Sequence, residues 1–211
     1  MSPTEVPHLR CGRRSFGDIS TDATATPWDS LMAVPLRENV TGAAAAAGTT
    51  LRAGWDDAAW HLLFVCEAEK PWATITEHDG PLWNEEVVEV FLDPVGDLQS
   101  YYELEVNPLN TVCDLVLRRL LGGWRKEFAW HCEGLHTAVR RTPNGWNAAL
   151  RIPFATVTND PVREGTIWRG NFLRIDRPGG ASGAVELSAW SPTFGPTFHR
   201  AERFGLIEFC A

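Results

Sequence analysis

The residues best suited to chemistry are carboxylates placed within short apolar segments. Glu89 lies in the middle of Glu86–Asp93, a segment with the length and the Val/Phe content of a β-strand. Glu103 and Glu105 lie in the alternating segment Tyr101–Asn107, and they share one of its faces because strand side chains alternate with a period of two. Such a group can bind a cation, pair with arginine or supply an acid and a base.

A glycosidase needs two carboxylates at a fixed separation. Glu86 and Glu89 lie on one predicted strand at an odd spacing, so they point to opposite faces. Glu103 and Glu105 share a face, but nothing marks one as an acid and the other as a nucleophile. The sequence contains neither G-x-S-x-G nor H-E-x-x-H, and it therefore gives catalysis little support.

The same carboxylates could instead hold a cation or form ion pairs. If Glu103 and Glu105 lie beside Glu89, the three would crowd together, and Arg174 and Arg118 are available as partners. No D-x-D-x-D-G loop is present, so the sequence assigns no loop ligands to such a cation. A solvated polar face with ion pairs is the simpler interpretation.

The overall charge limits the partners. The 211-residue chain has 27 acidic and 19 basic residues and a formal net charge of −8 at pH 7. Nucleic-acid binding needs clustered positive charge, which this chain lacks, so neutral ligands or divalent cations fit better.

No apolar run reaches about eighteen residues, so no membrane-spanning segment is predicted. The sequence predicts no oligomeric state.

The chain divides into a polar N-terminal arm and one domain. Residues 1–27 are rich in Pro, Thr, Ser and Asp, and they are predicted to lie outside the core. Residues 28–211 have the length of a single sandwich domain. The first residues lack the apolar core of a signal peptide. The sequence as given therefore predicts a cytoplasmic protein, or a secreted one if an export signal is missing from it.

Short strands separated by turn residues account for most of the domain. Pro153–Val157 is the best place for a short helix, and Leu120–Gly134 is predicted to be a loop or an insertion. The pattern predicts an all-β fold, a jelly-roll-like sandwich of two antiparallel sheets with at most one or two short helices. The main predicted strands are Thr50–Trp55, Ala59–Ala68, Pro71–Thr76, Glu86–Asp93, Tyr101–Asn107, Thr111–Arg118, Leu135–Arg141, Gly145–Ile152, Thr166–Asp176, Glu186–Trp190 and Phe204–Phe209.

Five sequence pieces carry a resemblance to a known family. They are P-L-W-N-E-E-V-V-E-V-F-L-D-P at 81–94, Y-Y-E-L-E-V-N-P at 101–108, W-R-G-N-F-L-R-I at 168–175, A-W-S-P at 189–192 and F-G-L-I-E-F at 204–209. In their order and spacing they resemble the family 9 carbohydrate-binding modules and their DOMON-like relatives. The resemblance covers most of the chain after Trp28, and it implies the sandwich fold. Since the relatives often hold calcium, the resemblance also makes calcium a candidate cofactor, without assigned ligands.

The resemblance also implies a site. In the resembled modules two tryptophans sandwich a terminal sugar, because an aromatic face matches the apolar face of a pyranose ring and polar side chains bind its hydroxyls. The chain is therefore expected to bind a saccharide without catalysis. The residues that match the family's positions are Trp83 and Trp190 for the slot, Glu89 as the carboxylate, and Asn107, Asn171 and Arg174 for the polar edge.

Other interpretations stay open. Trp83 could be a staple over one end of the sandwich, and Trp190 could pack in its interior. Some DOMON-like relatives bind haem through axial His or Met ligands, so a haem or small-ligand role is the alternative function. An enzyme of carbohydrate metabolism is the third. None of the candidate haem ligands has a diagnostic spacing; they are His61, His78, His131, His136, His199 and Met32.

Overall fold

The computed structural model describes residues 5–211, and strands dominate it. The strands are β1 (His8–Arg13), β2 (Val34–Pro35), β3 (Arg37–Glu38), β4 (Thr49–Trp55), β5 (Ala59–Glu67), β6 (Val87–Asp93), β7 (Ser100–Val106), β8 (Val112–Leu120), β9 (Gly123–Glu127), β10 (His136–Thr142), β11 (Gly145–Pro153), β12 (Ile167–Asp176), β13 (Glu186–Ala189) and β14 (Gly205–Cys210).

Helices contribute little. The one α-helix among the described residues is α1 (Phe154–Val157), at the predicted place, and 3-10 turns occur at Trp28–Ser30, Leu82–Asn84, Gly180–Ser182 and Ala201–Arg203. No helix in this part of the chain is long and apolar enough to cross a membrane. The predicted all-β fold with short helices is confirmed.

The strands follow one another in a continuous sheet that folds into two layers. The order is β10-β11-β5-β4-β1-β14-β12-β6-β7-β8-β9. The ring of Trp60 on β5 packs against Phe172 on β12 at 5.5 Å and against Phe209 on β14 at 6.1 Å, so the two halves of the sheet face each other. The result is a β-sandwich whose layers are joined through β1 and β14.

The predicted N-terminal arm contributes a strand to this sheet. β1 runs parallel to both β14 and β4, so the sheet is mixed rather than purely antiparallel. Leu9 and Cys11 point into the core and are fully buried. The apolar alternation of so short a strand is too brief to stand out from the polar sequence around it. Residues 1–4, also assigned to the arm, lie outside the described part of the chain.

Side-chain alternation on β6 separates two apolar clusters. Val88, Val90 and Leu92 point between the layers and join the main core. Val87 and Phe91 point the other way, into a second cluster. We call this second side, formed by β12, β6, β7 and β8, the outer face. Because loops cover it, acidic residues on the outer face are buried as well.

Two loops cover the outer face, and one of them contains a segment that was predicted to be a strand. Loop 71–86 contributes Leu82, and loop 190–204 contributes Phe198 and Ala201. Pro71–Thr76, predicted to be a strand, forms no strand pairing. Its backbone instead donates hydrogen bonds to side chains: the Thr74 and Ile75 N–H groups bind Glu85 Oε2 at 2.6 and 3.0 Å.

Candidate functional site

Three glutamates meet at the centre of the outer face. Glu89 on β6 lies directly opposite Glu105 on β7, and Glu103 is one pair further along, opposite Phe91. Directly opposed and diagonal neighbours on one face of a sheet are close enough for their side chains to interact. Glu89, Glu103 and Glu105 are only 3%, 1% and 0% exposed. The solvated polar face expected for them is therefore wrong, whereas the predicted crowding is confirmed.

Burial and mutual repulsion favour the neutral forms of these glutamates. Burial, then the neighbouring charge of Glu103, raises the pKa of Glu89 well above its usual range. The pKa of Glu105 is raised well above its usual range by burial and then by Glu89 and Glu103. Both Glu105 oxygens and Glu103 Oε2 have no hydrogen-bond partner among residues 5–211. Buried polar atoms of this kind are costly unless a ligand, an ion or water satisfies them.

An aromatic wall and a lysine border the glutamates. Lys126 Nζ on β9 lies 3.6 Å from Glu103 Oε1 and 3.6 Å from the centroid of the Trp83 ring. Trp83 is half-buried, and the ring of Phe128 lies 6.5 Å from it at a tilt of 33°. The exposed part of the Trp83 ring thus stands beside a group of carboxylates, with the ammonium group between them.

His199 closes the other side of the glutamate group. Its Nδ1 lies 4.0 Å from Glu103 Oε2 and is hydrogen-bonded to the Tyr101 hydroxyl at 2.6 Å. The imidazole ring also stacks on Phe91, with ring centroids 5.3 Å apart. Burial lowers the pKa of His199, although the nearby Glu103 charge opposes that effect. These contacts hold loop 190–204 against the sheet.

The structure does not bring the two predicted slot tryptophans together. Trp83 packs on the outer face, whereas Trp190 lies between the layers, 6% exposed, with its ring 5.3 Å from Phe172. A Cβ at Gly205 would lie 2.3 Å from the Trp190 ring, which shows how closely it is enclosed. The sheet separates the two tryptophans, so they do not form a slot. Trp190 follows the last residue of a strand, where the alternation of side chains no longer predicts their direction.

The side-chain amides of Asn107 and Asn171 form hydrogen bonds with backbone groups. Asn107 donates to the Ile75 carbonyl at 2.8 Å, and its oxygen accepts from the N–H groups of Leu109 and Thr111. Asn171 donates to the Ser191 carbonyl at 2.8 Å and accepts from the Ser191 N–H at 2.9 Å. They hold the two covering loops in place instead of facing a ligand.

Arg174 points between the layers and has no access to the outer face. Its guanidinium donates to Glu86 Oε1 and Asp176 Oδ1, each at 2.8 Å, and to Thr49 Oγ1 at 2.9 Å. It is fully buried. The second predicted partner of the glutamates, Arg118, pairs with Glu127 at 2.8 Å instead. Neither arginine neutralises the glutamate group, and the predicted arginine pairing is wrong.

Lys126 and Phe128 lie in the region predicted to be a loop, so no sequence pattern marked them as site residues. Leu121-Gly122 is in fact the turn of a β8–β9 hairpin, and Lys126 lies opposite Leu117. The alternation of Trp124 and Lys126 after a glycine pair was the available signal.

Comparisons with known proteins define the class of this protein. Residues 19–210 match the family model described as carbohydrate family 9 binding domain-like, so the chain belongs to that family. A search of curated proteins finds no significant match.

Solved structures show the same fold at low sequence identity. A family 9 carbohydrate-binding module from Caldicellulosiruptor kristjanssonii in complex with cellotriose is 16% identical, with a TM-score of 0.75 over 97% of this chain and 94% of that one. Its complex with glucose gives 15% identity and a TM-score of 0.72 over 97% and 95%. A putative carbohydrate-binding protein from Bacteroides uniformis is 18% identical, with a TM-score of 0.76 over 97% and 99%.

Proposed function

We propose that this protein binds a carbohydrate without catalysis, on the outer face beside Trp83. The observation that carries the proposal is a set of buried carboxylate oxygens beside a half-buried tryptophan, and these oxygens have no hydrogen-bond partner within the described part of the chain. Family membership and the cellotriose and glucose complexes of a protein with the same fold support a saccharide as the ligand. The site differs from the expected slot because Trp190 lies in the core.

The chemistry of the site suits a sugar ring. The apolar face of a pyranose would stack on Trp83, and its hydroxyls would approach Glu89 and Glu103 from the ring edge. Since the pKa of Glu89 is raised, its neutral carboxyl can donate a hydrogen bond as well as accept one. Lys126 lies over the Trp83 face, so its long flexible side chain has to move aside for the sugar.

A rival stacking surface lies at the end of the sandwich. Tyr102 and Trp130 pack with ring centroids 4.5 Å apart beside a cavity of about 380 Å³. The polar groups there already have partners: Asp93 accepts from the Gly96 N–H at 2.7 Å, and Arg118 pairs with a glutamate. This cleft offers a sugar fewer unsatisfied atoms than the glutamate group does. Trp130 is therefore a suitable control residue.

Calorimetric titration with glucose, cellobiose and cellotriose tests the proposal. We expect saturable binding of at least one sugar to the wild-type protein, loss of that binding in Trp83→Ala, and unchanged binding in Trp130→Ala. Circular dichroism verifies that both variants are folded. Binding that survives Trp83→Ala but is lost in Trp130→Ala would move the site to the rival cleft.

A further inference from the structure

Two histidines and two aspartates converge at the edge of β8. His78 and Asp79 come from loop 71–86, Asp114 from β8, and His131 from the segment after β9. One ligand atom from each lies within 4.8 Å of every other. Among residues 5–211 this is the one group of His, Cys, Asp and Glu side chains with such spacing. We call it the His/Asp group; it lies apart from the three glutamates.

The fold holds the two aspartates in fixed positions. The Asp79 N–H donates to the Val112 carbonyl at 3.1 Å, and Asp79 Oδ1 accepts from the Asp114 N–H at 3.2 Å. Asp79 has a φ of 60°, a left-handed conformation that an aspartate tolerates better than most residues. Asp114 Oδ2 accepts from the Cys132 N–H. One oxygen of each aspartate is thus anchored, and the other is left for the centre of the group.

The free oxygen of Asp114 points to a missing partner. The Asp114 side chain is 3% exposed, and its Oδ1 has no hydrogen bond within the described chain. That oxygen lies 3.5 Å from His78 Nε2 and 3.5 Å from His131 Nδ1. A buried carboxylate oxygen is normally satisfied, so its orientation toward two imidazoles indicates a shared ligand.

The distances fit a tetrahedral metal ion. Zinc binds histidine nitrogen and carboxylate oxygen at about 2.0–2.1 Å, so neighbouring ligand atoms of a tetrahedron lie about 3.3 Å apart. Asp114 Oδ1 lies 3.5 Å from His78 Nε2 and 3.5 Å from His131 Nδ1, and Asp79 Oδ2 lies 3.9 Å from His131 Nδ1, so these separations are close to the tetrahedral value. Asp79 Oδ2 is 3.2 Å from the other nitrogen of His78, Nδ1, and a histidine gives only one nitrogen to an ion, so either His78 nitrogen could face it after a ring rotation.

We propose that His78, Asp79, Asp114 and His131 bind one divalent transition-metal ion of the zinc type. Imidazole ligands favour zinc, copper or nickel, whereas calcium takes six to eight oxygens. Two carboxylates and two neutral imidazoles balance the charge of a divalent ion. The side chains of His78 and His131 are 56% and 54% exposed, and both line a surface cavity of about 420 Å³ through which an ion can enter.

The ion would join two separate parts of the chain. Loop 71–86 carries Trp83, and His131 belongs to the segment that follows Phe128. A metal bridge would therefore stabilise the fold locally, and its existence does not depend on the proposed carbohydrate site.

Calorimetric titration of the chelator-treated protein with Zn²⁺ tests this proposal. We expect one ion per chain, and a decrease in affinity of about tenfold or more in His131→Ala. His136→Ala is the matched control, since His136 is an exposed histidine on β10 outside the group. Zn²⁺ should raise the unfolding temperature of the wild-type protein and of the control, but not that of the double variant His78→Ala/His131→Ala.

The same titrations can overturn the proposal. Absence of Zn²⁺ binding would show that the four side chains interact only with one another. Unchanged Zn²⁺ binding in the double variant would place the ion elsewhere, for example on a free cysteine. Tighter binding of Ca²⁺ than of Zn²⁺ would contradict a ligand set built on imidazole.

Discussion

At the scale of single residues, burial decides what the acidic side chains do. Glu105 is fully buried, its two oxygens have no hydrogen-bond partner among residues 5–211, and its pKa is raised mainly by that burial. Its protonated form is therefore favoured in the folded protein. The associated stability is fully present below the ordinary glutamate pKa, and it is lost as the pH rises through the raised pKa.

Glu105→Gln should therefore stabilise the protein at pH 8 by on the order of 1 kcal/mol or more, because the amide carries no charge for burial and for Glu89 and Glu103 to disfavour. The gain should shrink toward pH 4, where Glu105 itself is neutral. Urea unfolding of both proteins across this pH range measures the difference. Glu69→Gln, at an exposed position, is the control and should show no such trend. A gain that grows toward low pH would contradict the account.

The buried ion pairs of Arg174 lead to a second prediction. Arg174→Ala would leave Glu86 and Asp176 without their cation, and such losses cost about 3–5 kcal/mol. Arg118→Ala, which removes a surface pair with Glu127, should cost about 1 kcal/mol or less. Chemical unfolding measures both. If Arg174→Ala is as mild as its control, the arginine does not support the fold in the way described.

Some single residues could be placed from the sequence and others could not. Trp83 and Glu89 do lie on the same side of the sheet: alternation along β6 defines the direction of Glu89, and the family-like segment places Trp83 just before that strand. Trp190 follows the last residue of β13, where alternation no longer applies, and it turns into the core. Asn107, Asn171 and Arg174 have polar side chains in the expected segments, but each also has a partner far away in the sequence that no local pattern reveals. These partners are Ile75, Ser191 and Glu86, respectively.

At the scale of elements, β1 shows how a short strand escapes prediction. It has only two core residues, Leu9 and Cys11, between charged neighbours, yet it joins the two layers of the sandwich. The longer strands β5, β6 and β11 were predicted almost to the residue because their apolar runs are continuous or cleanly alternating. β9, which carries Lys126, was not predicted because it is a short strand in which four of five residues are polar or glycine.

Because β1 lies in the sheet, substitutions of its adjacent residues Leu9 and Arg10 should differ in their effect on stability. Leu9→Ala should destabilise the protein by about 2–5 kcal/mol, because it opens a cavity in the main core. Arg10→Ala, at the exposed neighbouring position, should change stability by about 0.5 kcal/mol or less. Thermal and chemical unfolding give both values. Equal, small effects would mean that residues 8–13 are not part of the sheet in solution.

At the scale of the whole molecule, the sheet separates two kinds of interior. The space between the layers holds the larger apolar cluster, with aromatic side chains such as Trp60, Trp146 and Phe172, and the charge of Arg174 is paired there with Glu86 and Asp176. The outer face is also covered, but it encloses carboxylates with unused hydrogen-bonding capacity. Stability is therefore concentrated on one side of the β12-β6-β7-β8 layer. We propose that ligand recognition is concentrated on the other side.

Nuclear magnetic resonance of the tryptophan side chains can show where a saccharide binds. Each of the ten tryptophans gives one indole N–H signal, and single substitutions assign those of Trp83, Trp130 and Trp190. With cellotriose added, the account predicts a saturable shift of the Trp83 signal while the signals of Trp130 and Trp190 stay in place. A shift of the Trp130 signal with no change at Trp83 would contradict it.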